Sequence, residues 1–460
     1  MEPSVSSAGD KAVVAGAATA PTPQGATVSA GGTATPETPG AKPQTAPPPA
    51  NRVEVGYELR LRQENWNNLS DYNDDASDDR RQFRFRQRLW GKLNLGSKAE
   101  FMLGFNNESR GTSTPATPFT WDETIFETLY ADYRFSAEWS ARLGRQDIQR
   151  GEGFIIYDGT PGDGSRTAYV NALDLSYAPG KSRFELMVIS DPWHDIYLPR
   201  TMDKIRPLIE WDEQALGLYY TGSSLPGTTL EGYYFYKTEK TPDSAPLPGA
   251  RDRRLHTLGG RIVRQWNGGW SVTGELAGQT GTQEPDISIR AWGGYVYGKK
   301  TFDVGSKPSF SIGYIGMSGD DPSSSTIEGW DPLFARWPKW SDLMLYGLTK
   351  EQGVGYWSNL SMWRAEFQIV PIKQVNLRAT YFKVGAFYPS GGSSKIFADG
   401  KDRGDDYQVR ADWKMNEQLR GHVVYERLIP GDFYTHADPA WFLRFEVIIT
   451  FKKTLPLSHS

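Results

Sequence analysis

Apolar and charged side chains alternate with a period of two along most of this chain, starting at residue 52. In the first such segment Val53, Tyr57 and Leu61 share one parity, and arginine and glutamate residues fill the other. Successive side chains of a strand point to opposite faces, so this segment predicts a strand with one apolar and one ionic face. The same pattern returns near Phe83 and near Phe445.

Eighteen segments of this kind are predicted as strands. They cover residues 52–65, 82–96, 98–109, 123–136, 138–149, 166–178, 182–191, 211–222, 228–239, 254–266, 269–281, 286–300, 306–318, 357–370, 373–385, 404–415, 418–428 and 439–453. An even number of strands is expected of a closed antiparallel sheet from a bacterial outer membrane.

The links between these segments alternate in length. Links after even-numbered strands are short, such as Gly96-Ser97 and Asn267-Gly268. Most links after odd-numbered strands are long and polar: 66–81, 110–122, 150–165, 192–210, 240–253, 319–356, 386–403 and 429–438, with 282–285 as the exception. Short turns on one side and long loops on the other are typical of an outer-membrane barrel, whose turns face the periplasm. A soluble β-sandwich or propeller does not readily give this alternation.

The sequence therefore predicts an all-β protein with an 18-stranded antiparallel transmembrane β-barrel over residues 51–460, located in the bacterial outer membrane. Residues 1–50 contain 12 Ala, 9 Pro and 6 Gly and no aromatic residue, which predicts a disordered tail. A mean hydropathy of -0.55 leaves no apolar run of the ~20 residues that a spanning helix needs, which excludes an α-helical membrane protein. A net charge of -4 gives no reason to expect a nucleic-acid partner.

The charged parity would line the lumen of this barrel. The inward arginines are Arg60, Arg62, Arg84, Arg86, Arg88, Arg364, Arg378, Arg410, Arg420 and Arg444, and the carboxylates among them include Asp132 and Glu366. One interpretation is a hydrated, salt-bridged interior. The other, favoured for the arginines as a group, is a path for polyanions, because their field attracts anions and disfavours cations. In segment 138–149 an outward Leu143 places Arg142 and Gln146 inward and Arg145 outward.

Three short stretches resemble a known protein family. The stretch Ala141 to Asp147, Ala-Arg-Leu-Gly-Arg-Gln-Asp, is followed by Gly151-Glu152-Gly153 and by Tyr157-Asp158. Together they resemble the "GRQ" region of the alginate export porins. The stretch from Tyr57 to Arg62 and the strand from Arg84 to Leu95 are similar to that family as well.

The resemblance implies an 18-stranded outer-membrane channel that secretes the polyanion alginate through an arginine-lined constriction. It further implies loops and turns that gate the channel, a periplasmic scaffold that delivers the polymer, and a monomeric barrel. By the same resemblance Arg145 is a constriction residue, with the strand from Arg84 to Arg88 beside it. The expected partners are thus an anionic polysaccharide and outer-membrane lipid.

The first long loop is a weak candidate for a calcium site. Its oxygen-bearing side chains at alternate positions are Asp71, Asn73, Asp75 and Asp79. An EF-hand is rejected, because its sixth position is Ala76 rather than glycine and its twelfth is Gln82 rather than glutamate. The alternative is a solvated acidic loop, and no cofactor is predicted.

Two further features leave alternatives open. His194 lies near Asp191 and Asp195 in a predicted loop, so a hydrolytic site is the alternative to a surface histidine. The loop over 319–356 carries tryptophans that either stack on sugar rings or pack the loop onto the rim. They are Trp330, Trp337 and Trp340.

The predicted function is passive export of an anionic polysaccharide, alginate or a similar uronate polymer, through an anion-selective lumen and without covalent chemistry. The alternatives are an uptake porin for small anions or sugars, an outer-membrane enzyme, and a structural barrel closed by its loops. The sequence does not encode the direction of net flux.

Overall fold

The computed structural model describes residues 51–68, 71–76, 78–158, 170–199, 211–241, 252–335, 340, 358–390 and 396–457. Within these ranges the chain forms 18 strands of one closed antiparallel barrel and three short strands of a separate inner sheet. No helix in these ranges is long and apolar enough to span a membrane. The predicted tail over 1–50 lies outside the described residues.

The strands follow one another around the barrel in chain order. They are β1 (Arg52–Asn67), β2 (Arg80–Leu95), β3 (Ala99–Thr114), β4 (Ala116–Arg134), β5 (Trp139–Gln146), β6 (Ile148–Gln149), β7 (Ile156–Asp158), β8 (Val170–Tyr177), β9 (Ser182–Asp191), β10 (Asp212–Gly222), β11 (Thr228–Lys240), β12 (Arg253–Trp266), β13 (Trp270–Gln283), β14 (Ile287–Thr301), β15 (Ser309–Met317), β16 (Phe334–Ala335), β17 (Leu360–Ile372), β18 (Val375–Gly385), β19 (Asp402–Lys414), β20 (Leu419–Pro430) and β21 (Ala440–Pro456). Strands β6, β7 and β16 form the inner sheet, and the others form the barrel.

The predicted 18-stranded antiparallel barrel is confirmed, and each predicted segment corresponds to one of its strands. One link was predicted wrongly: 110–122 is not a long loop, because β3 runs to Thr114 and β4 begins at Ala116. Thr112 pairs with Thr117 in this hairpin. The β-branched threonines here favour an extended backbone, so pairing continues beyond the point where the alternation of charge fades.

Pairing between β1 and β21 closes the barrel. Their register runs from Arg52 opposite Pro456 to Asn67 opposite Trp441. Strand β1 also pairs with β2, and each later barrel strand pairs with the barrel strands before and after it. Closure leaves no strand edge facing hydrocarbon, where each unpaired backbone N–H or C=O group would cost on the order of several kcal/mol.

The outward parity of the strands forms an apolar belt. Leu258, Leu276 and Ile312 are 68%, 63% and 55% exposed, as expected of side chains that meet lipid. At the short-turn end Trp139 stacks on Tyr177 with ring centroids 4.5 Å apart. Aromatic rings at this level are typical of the boundary between hydrocarbon and headgroups.

The inward parity of β9, β11 and β15 is apolar toward the long-loop end. Met187, Phe235 and Ile315 are fully buried there. They belong to one apolar cluster with residues of two segments that fold into the barrel, the first inward segment (147–158) and the second inward segment (327–335). Both faces of these strands are therefore covered, one by lipid and one by protein, so the alternation of apolar and polar residues disappears.

Replacing Leu276 by arginine tests the outward parity. The charge would face hydrocarbon near the middle of β13, so we expect the free energy of unfolding to fall by about 2–4 kcal/mol. Folding into vesicles along a urea gradient measures the change. Leu225→Arg, in the exposed turn after β10, is the matched control; equal losses in the two variants would contradict the assignment.

Candidate functional site

One side of the lumen is filled by a network of arginine and glutamate side chains, which we call the ionic layer. Its members are Arg60, Arg62, Arg84, Arg86, Arg88, Arg444, Glu58, Glu64, Glu108, Glu127 and Glu446, on β1, β2, β3, β4 and β21. In register, Arg60 lies opposite Arg86, and Arg62 lies opposite Arg84. Like charges directly opposite each other destabilise a sheet, so these strands need carboxylates between the arginines.

Glutamates of neighbouring strands meet this need. Glu108 accepts hydrogen bonds from Arg60 at 2.9 Å and from Arg84 at 2.8 Å. Glu64 accepts from Arg444 Nε at 2.9 Å and lies 3.4 Å from Arg84 Nη1. Such charge-assisted bonds are stronger than neutral ones. Each of these carboxylates therefore neutralises parts of two guanidinium groups.

The ionic layer is buried. Arg60, Arg62, Arg84, Arg86 and Arg444 are at most 2% exposed. A buried arginine that is already paired with carboxylates has little field left for a passing anion. The structure thus places these predicted path residues in a packed wall of ion pairs.

Two predicted arginines lie at the edges of this wall, Arg88 as a member of the ionic layer and Arg410 beside it. Arg88 is 12% exposed and pairs with Glu127 at 2.8 Å. Arg410, on β19, is 2% exposed and pairs with Asp412 at 2.7 Å. They are compensated by carboxylates in the same way as the buried arginines.

A second group of charges lies on β14, β17 and β18. We call Lys299, Arg364, Glu366 and Arg378 the Glu366 cluster. Arg364 donates to Glu366, Arg378 Nε lies 3.7 Å from the same carboxylate, and Lys299 interacts with it electrostatically. Three positive charges therefore converge on one carboxylate.

Neutral polar groups surround the Glu366 cluster, which is partly open to solvent. The side chains of Arg364 and Glu366 are 13% and 11% exposed. Arg364 Nη1 donates to Ser311 Oγ at 3.1 Å, and its guanidinium lies 5.7 Å from the centre of the Tyr297 ring. The arrangement offers a partly desolvated positive site with hydrogen-bonding neighbours, which suits a carboxylate ligand.

Sequence reasoning identified three members of the Glu366 cluster and missed Lys299. Lys299 shares the inward parity of Tyr295 and Tyr297 on β14. The adjacent Lys300 has the opposite parity, so the two lysines by themselves do not show which of them faces the lumen. The inward tyrosines are the signal that separates the two lysines.

Charged residues of both signs line the periplasmic mouth. Asp132 pairs with Arg142 at 3.0 Å, and their side chains are 29% and 35% exposed. The Arg142 guanidinium lies 4.4 Å from the centre of the Tyr130 ring. Arg420 is 36% exposed and pairs with Glu58 at 2.7 Å. These side chains remain accessible, whereas those of the ionic layer do not.

Arg145 lies at a different register. It is opposite Leu129 and Asn171, and Leu129 faces outward. Arg145 is nevertheless 2% exposed, because its guanidinium donates to the Phe126 carbonyl at 2.9 Å and to Asp195 at 2.8 Å. Arg145 thus has the outward parity that the strand pattern predicts. A constriction role for Arg145 rests on the family resemblance alone.

Ion pairs hold the first inward segment against the barrel wall. Arg150 lies 2.6 Å from Glu185 on β9, and Glu152 lies 3.5 Å from Arg261 on β12. Gly151 stands between them with a φ of +55°, and a Cβ at this position would lie 3.0 Å from Arg261 Cδ. Glycine therefore lets the chain turn sharply between two oppositely charged anchors.

The second inward segment packs on the first. Trp330 stacks on Phe154 with ring centroids 5.1 Å apart, and β16 pairs with β7. Asp331 pairs with Arg253 at 2.8 Å. Burial opposes ionisation of Asp331, but Arg253 and Lys237 outweigh it and hold the pKa of this carboxyl below its usual range. The segment is thus anchored by a charged carboxylate at neutral pH.

The sequence of the barrel identifies its family. A family model described as alginate export matches residues 51–444, which is most of the chain. The chain belongs to the alginate export family. Curated proteins gave no significant match to it.

Solved structures share the fold of this alginate export family member. The outer membrane protein opdK from Pseudomonas aeruginosa has a TM-score of 0.56 and 9% identity, over 87% of this chain and 99% of that chain. OccAB4 from Acinetobacter baumannii has a TM-score of 0.53 and 12% identity, over 89% and 100%. Pseudomonas aeruginosa OccK2 (OpdF), solved in complex with glucuronate, has a TM-score of 0.52 and 10% identity, over 88% and 98%.

Family and fold together establish a barrel of the bacterial outer membrane and a passive channel. They are those of a porin rather than of an enzyme. At 9–12% identity the solved structures establish the fold alone.

The acidic loop of this alginate export family member uses its oxygen atoms within the loop. The Asn73 N–H donates to Asp71 at 3.2 Å, the Asp75 N–H donates to Asn73 at 3.0 Å, and Asn67 donates to Asp79 at 2.8 Å. In the described parts of the chain no group of three or more histidine or acidic side chains is arranged to hold a metal ion.

Two of the remaining sequence motifs make ring contacts or are buried. The His194 ring lies 3.9 Å from that of Trp193. Trp330 and Trp340 are 2% and 8% exposed, which supports packing rather than sugar stacking. Trp337 lies outside the described residues.

Replacing Glu64 by glutamine tests the ionic layer. The change leaves three buried arginines, Arg62, Arg84 and Arg444, without a shared counter-charge, so we expect a loss of about 3–5 kcal/mol in the free energy of unfolding. Urea titration in vesicles measures it. Glu417→Gln, which breaks the exposed pair with Lys414, should leave stability unchanged; a Glu64→Gln protein as stable as this control would contradict the role.

Replacing Arg150 and Glu152 together by glutamine tests the anchors of the first inward segment. Loss of the ion pairs to Asp174, Glu185 and Arg261 should free the segment from the wall and raise the single-channel conductance in a planar bilayer. Arg183→Gln is the control, because Arg183 also pairs with Glu185 but lies on β9 and holds no inward segment. An unchanged conductance in the double variant would show that the segment does not obstruct the lumen.

Proposed function

We propose that this protein is a passive export channel for an anionic polysaccharide, alginate or a similar uronate polymer. Membership of the alginate export family supports the substrate class. The observation that carries the proposal is the Glu366 cluster, a partly exposed site in the lumen where two guanidinium groups and an ammonium group act on one carboxylate. The channel acts without covalent chemistry.

The chemistry of a uronate polymer fits this cluster. Each sugar unit carries one carboxylate, and a planar guanidinium can bind a carboxylate through two parallel hydrogen bonds. Arg364 and Arg378 offer such groups, and Lys299 adds a third cation beside them. Glu366 competes for the same donors, so a bound unit can leave again, as conduction requires.

The substrate path in this proposal follows one side of the lumen. Members of the ionic layer other than Arg88 are buried and paired, so they form a wall rather than a binding surface. The accessible charges are those of the periplasmic mouth, including Arg142 and Arg420, and those of the Glu366 cluster. A polymer entering from the periplasm would meet the mouth first and the cluster next.

The inward segments supply the gate in this proposal. They lie in the lumen on the side of the long loops, and Trp330 and Phe154 join them into one body. A polymer chain needs more room than a small solute, so these segments must move away from β9 and β12 during export. Delivery of the polymer by a periplasmic scaffold, and a monomeric barrel, are further parts of the proposal that rest on the family resemblance.

A second candidate is uptake of small uronate-type anions. Two observations favour it: the inward segments pack against the inner face of the barrel, and OccK2, which shares the fold, was solved in complex with glucuronate. The Glu366 cluster would serve a single carboxylate as well as a polymeric one. The two candidates differ in the size of the solute that crosses.

A double variant, Lys299→Gln with Arg378→Gln, tests the Glu366 cluster. It removes two of the three cations and keeps the pair of Arg364 with Glu366, so local repulsion should not arise. We expect anion selectivity in a planar bilayer to fall and the polyuronate concentration that blocks the current to rise on the order of tenfold. Arg254→Gln with Arg427→Gln is the control, since both arginines are exposed and face outward.

The outcomes separate the two candidates. Block by polyuronate together with its release from loaded liposomes supports export. Permeation of glucuronate without any interaction with the polymer supports uptake. Cation selectivity of the native protein, or equal effects of the cluster and control variants, would reject the cluster as the selecting site.

A further inference from the structure

Two cations face outward at the periplasmic end of the barrel, where the apolar belt ends. Arg264 on β12 shares the outward parity of Ile262 and Trp266, and Lys300 on β14 shares that of Val296. Charged side chains on the lipid side of a barrel are costly near the midplane and tolerable only near the headgroups. Both residues lie beside short turns, at the level of the periplasmic headgroups.

Exposed aromatic rings frame these two cations. The Arg264 guanidinium lies 5.6 Å from the centre of the Trp266 ring, and Lys300 Nζ lies 5.1 Å from that of Trp270. Trp266 and Trp270 are paired across the β12–β13 hairpin and are 48% and 56% exposed. Phe302, 48% exposed, lies 5.4 Å from the same ammonium group. The rings hold the cations by cation–π attraction at a level where indoles prefer to lie.

Within the described residues, neither cation has a carboxylate at ion-pairing distance. Lys300 Nζ donates to the Gly268 carbonyl, and Arg264 donates to the Pro226 carbonyl and to Thr228. Carbonyl and hydroxyl oxygens satisfy hydrogen bonds but do not cancel a charge. The two positive charges are thus held in place and left uncompensated by the protein.

An outward cation at the opposite end of the barrel has carboxylate partners within the protein. Lys383 on β18 lies 3.0 Å from Asp402 and 3.2 Å from Asp405, so the protein supplies its counter-charges. The contrast indicates that the counter-charge for Arg264 and Lys300 comes from outside the protein. At this position the available anion is a lipid phosphate.

We propose that Arg264, Trp266, Trp270 and Lys300 form a binding site for the headgroup of an anionic phospholipid of the periplasmic leaflet. The phosphate pairs with the two cations, and the indole rings pack against the glycerol and upper acyl region. A guanidinium and an ammonium each match the charge and the acceptor oxygens of a phosphate. This site is independent of the lumen and of the substrate that crosses it.

Native mass spectrometry of the purified full-length protein tests this site. The protein in a non-ionic detergent is titrated with phosphatidylglycerol and, separately, with phosphatidylcholine, and bound lipid is counted. We expect phosphatidylglycerol to be retained in preference, and Arg264→Gln with Lys300→Gln to weaken its retention by roughly tenfold or more. Heat-modifiable migration on a gel checks that the variant barrel is folded.

The control removes two cations from the same rim. Lys98→Gln with Lys414→Gln changes two exposed lysines at the periplasmic rim, one in the turn after β2 and one at the end of β19, which have no aromatic frame in the contacts described above. This control should retain phosphatidylglycerol like the native protein. Equal retention of the two lipids by the native protein, or equal losses in the two double variants, would overturn the proposal and indicate a diffuse attraction by net charge.

Discussion

Every backbone N–H and C=O group that faces hydrocarbon must find a partner within the protein, and this protein meets that constraint by joining its first barrel strand to its last. The join is specified by charge as well as by backbone pairing. Arg62 lies opposite Glu446, and Glu64 lies opposite Arg444, across β1 and β21. A shift of one residue would turn every inward charge toward lipid, and a shift of two would bring like charges together. The ionic layer therefore fixes the register between β1 and β21, the first and last barrel strands, which are not joined by a connecting loop.

The interior follows from how a barrel of this width is filled. Eighteen strands enclose more space than the side chains of the wall can fill by themselves. Next to the junction of β1 and β21, the lumen is filled by the ionic layer, because long arginine and glutamate side chains from neighbouring strands reach each other. Across the lumen the filling comes from two loop segments, and inward residues such as Met187 and Phe235 are apolar because these segments cover them. Ionic and apolar packing thus coexist in one lumen.

Strand parity was sufficient to predict the barrel and the inward direction of most charges. It was insufficient to separate a free arginine from a compensated one. Arg60 and Glu108 lie 48 residues apart on strands that are not adjacent, and their bond depends on side-chain reach across β2. By contrast, Arg364 and Glu366 are two residues apart on β17 and share one face of the strand, so their pairing could be predicted from the sequence. Strand parity also could not predict whether Phe235 faces inward or outward. An inward residue that is covered by a folded loop is apolar, just as an outward residue that is covered by lipid is.

The position of the ionic layer makes the pore eccentric. Any opening that leaves the buried ion pairs intact must lie off the barrel axis, on the side of the lumen away from β1 to β4 and β21. A passing chain would then touch only one side of the barrel, and selectivity would depend on the residues of that side. The side that carries the ionic layer can then remain rigid. The barrel keeps its shape while the inward segments on the other side move.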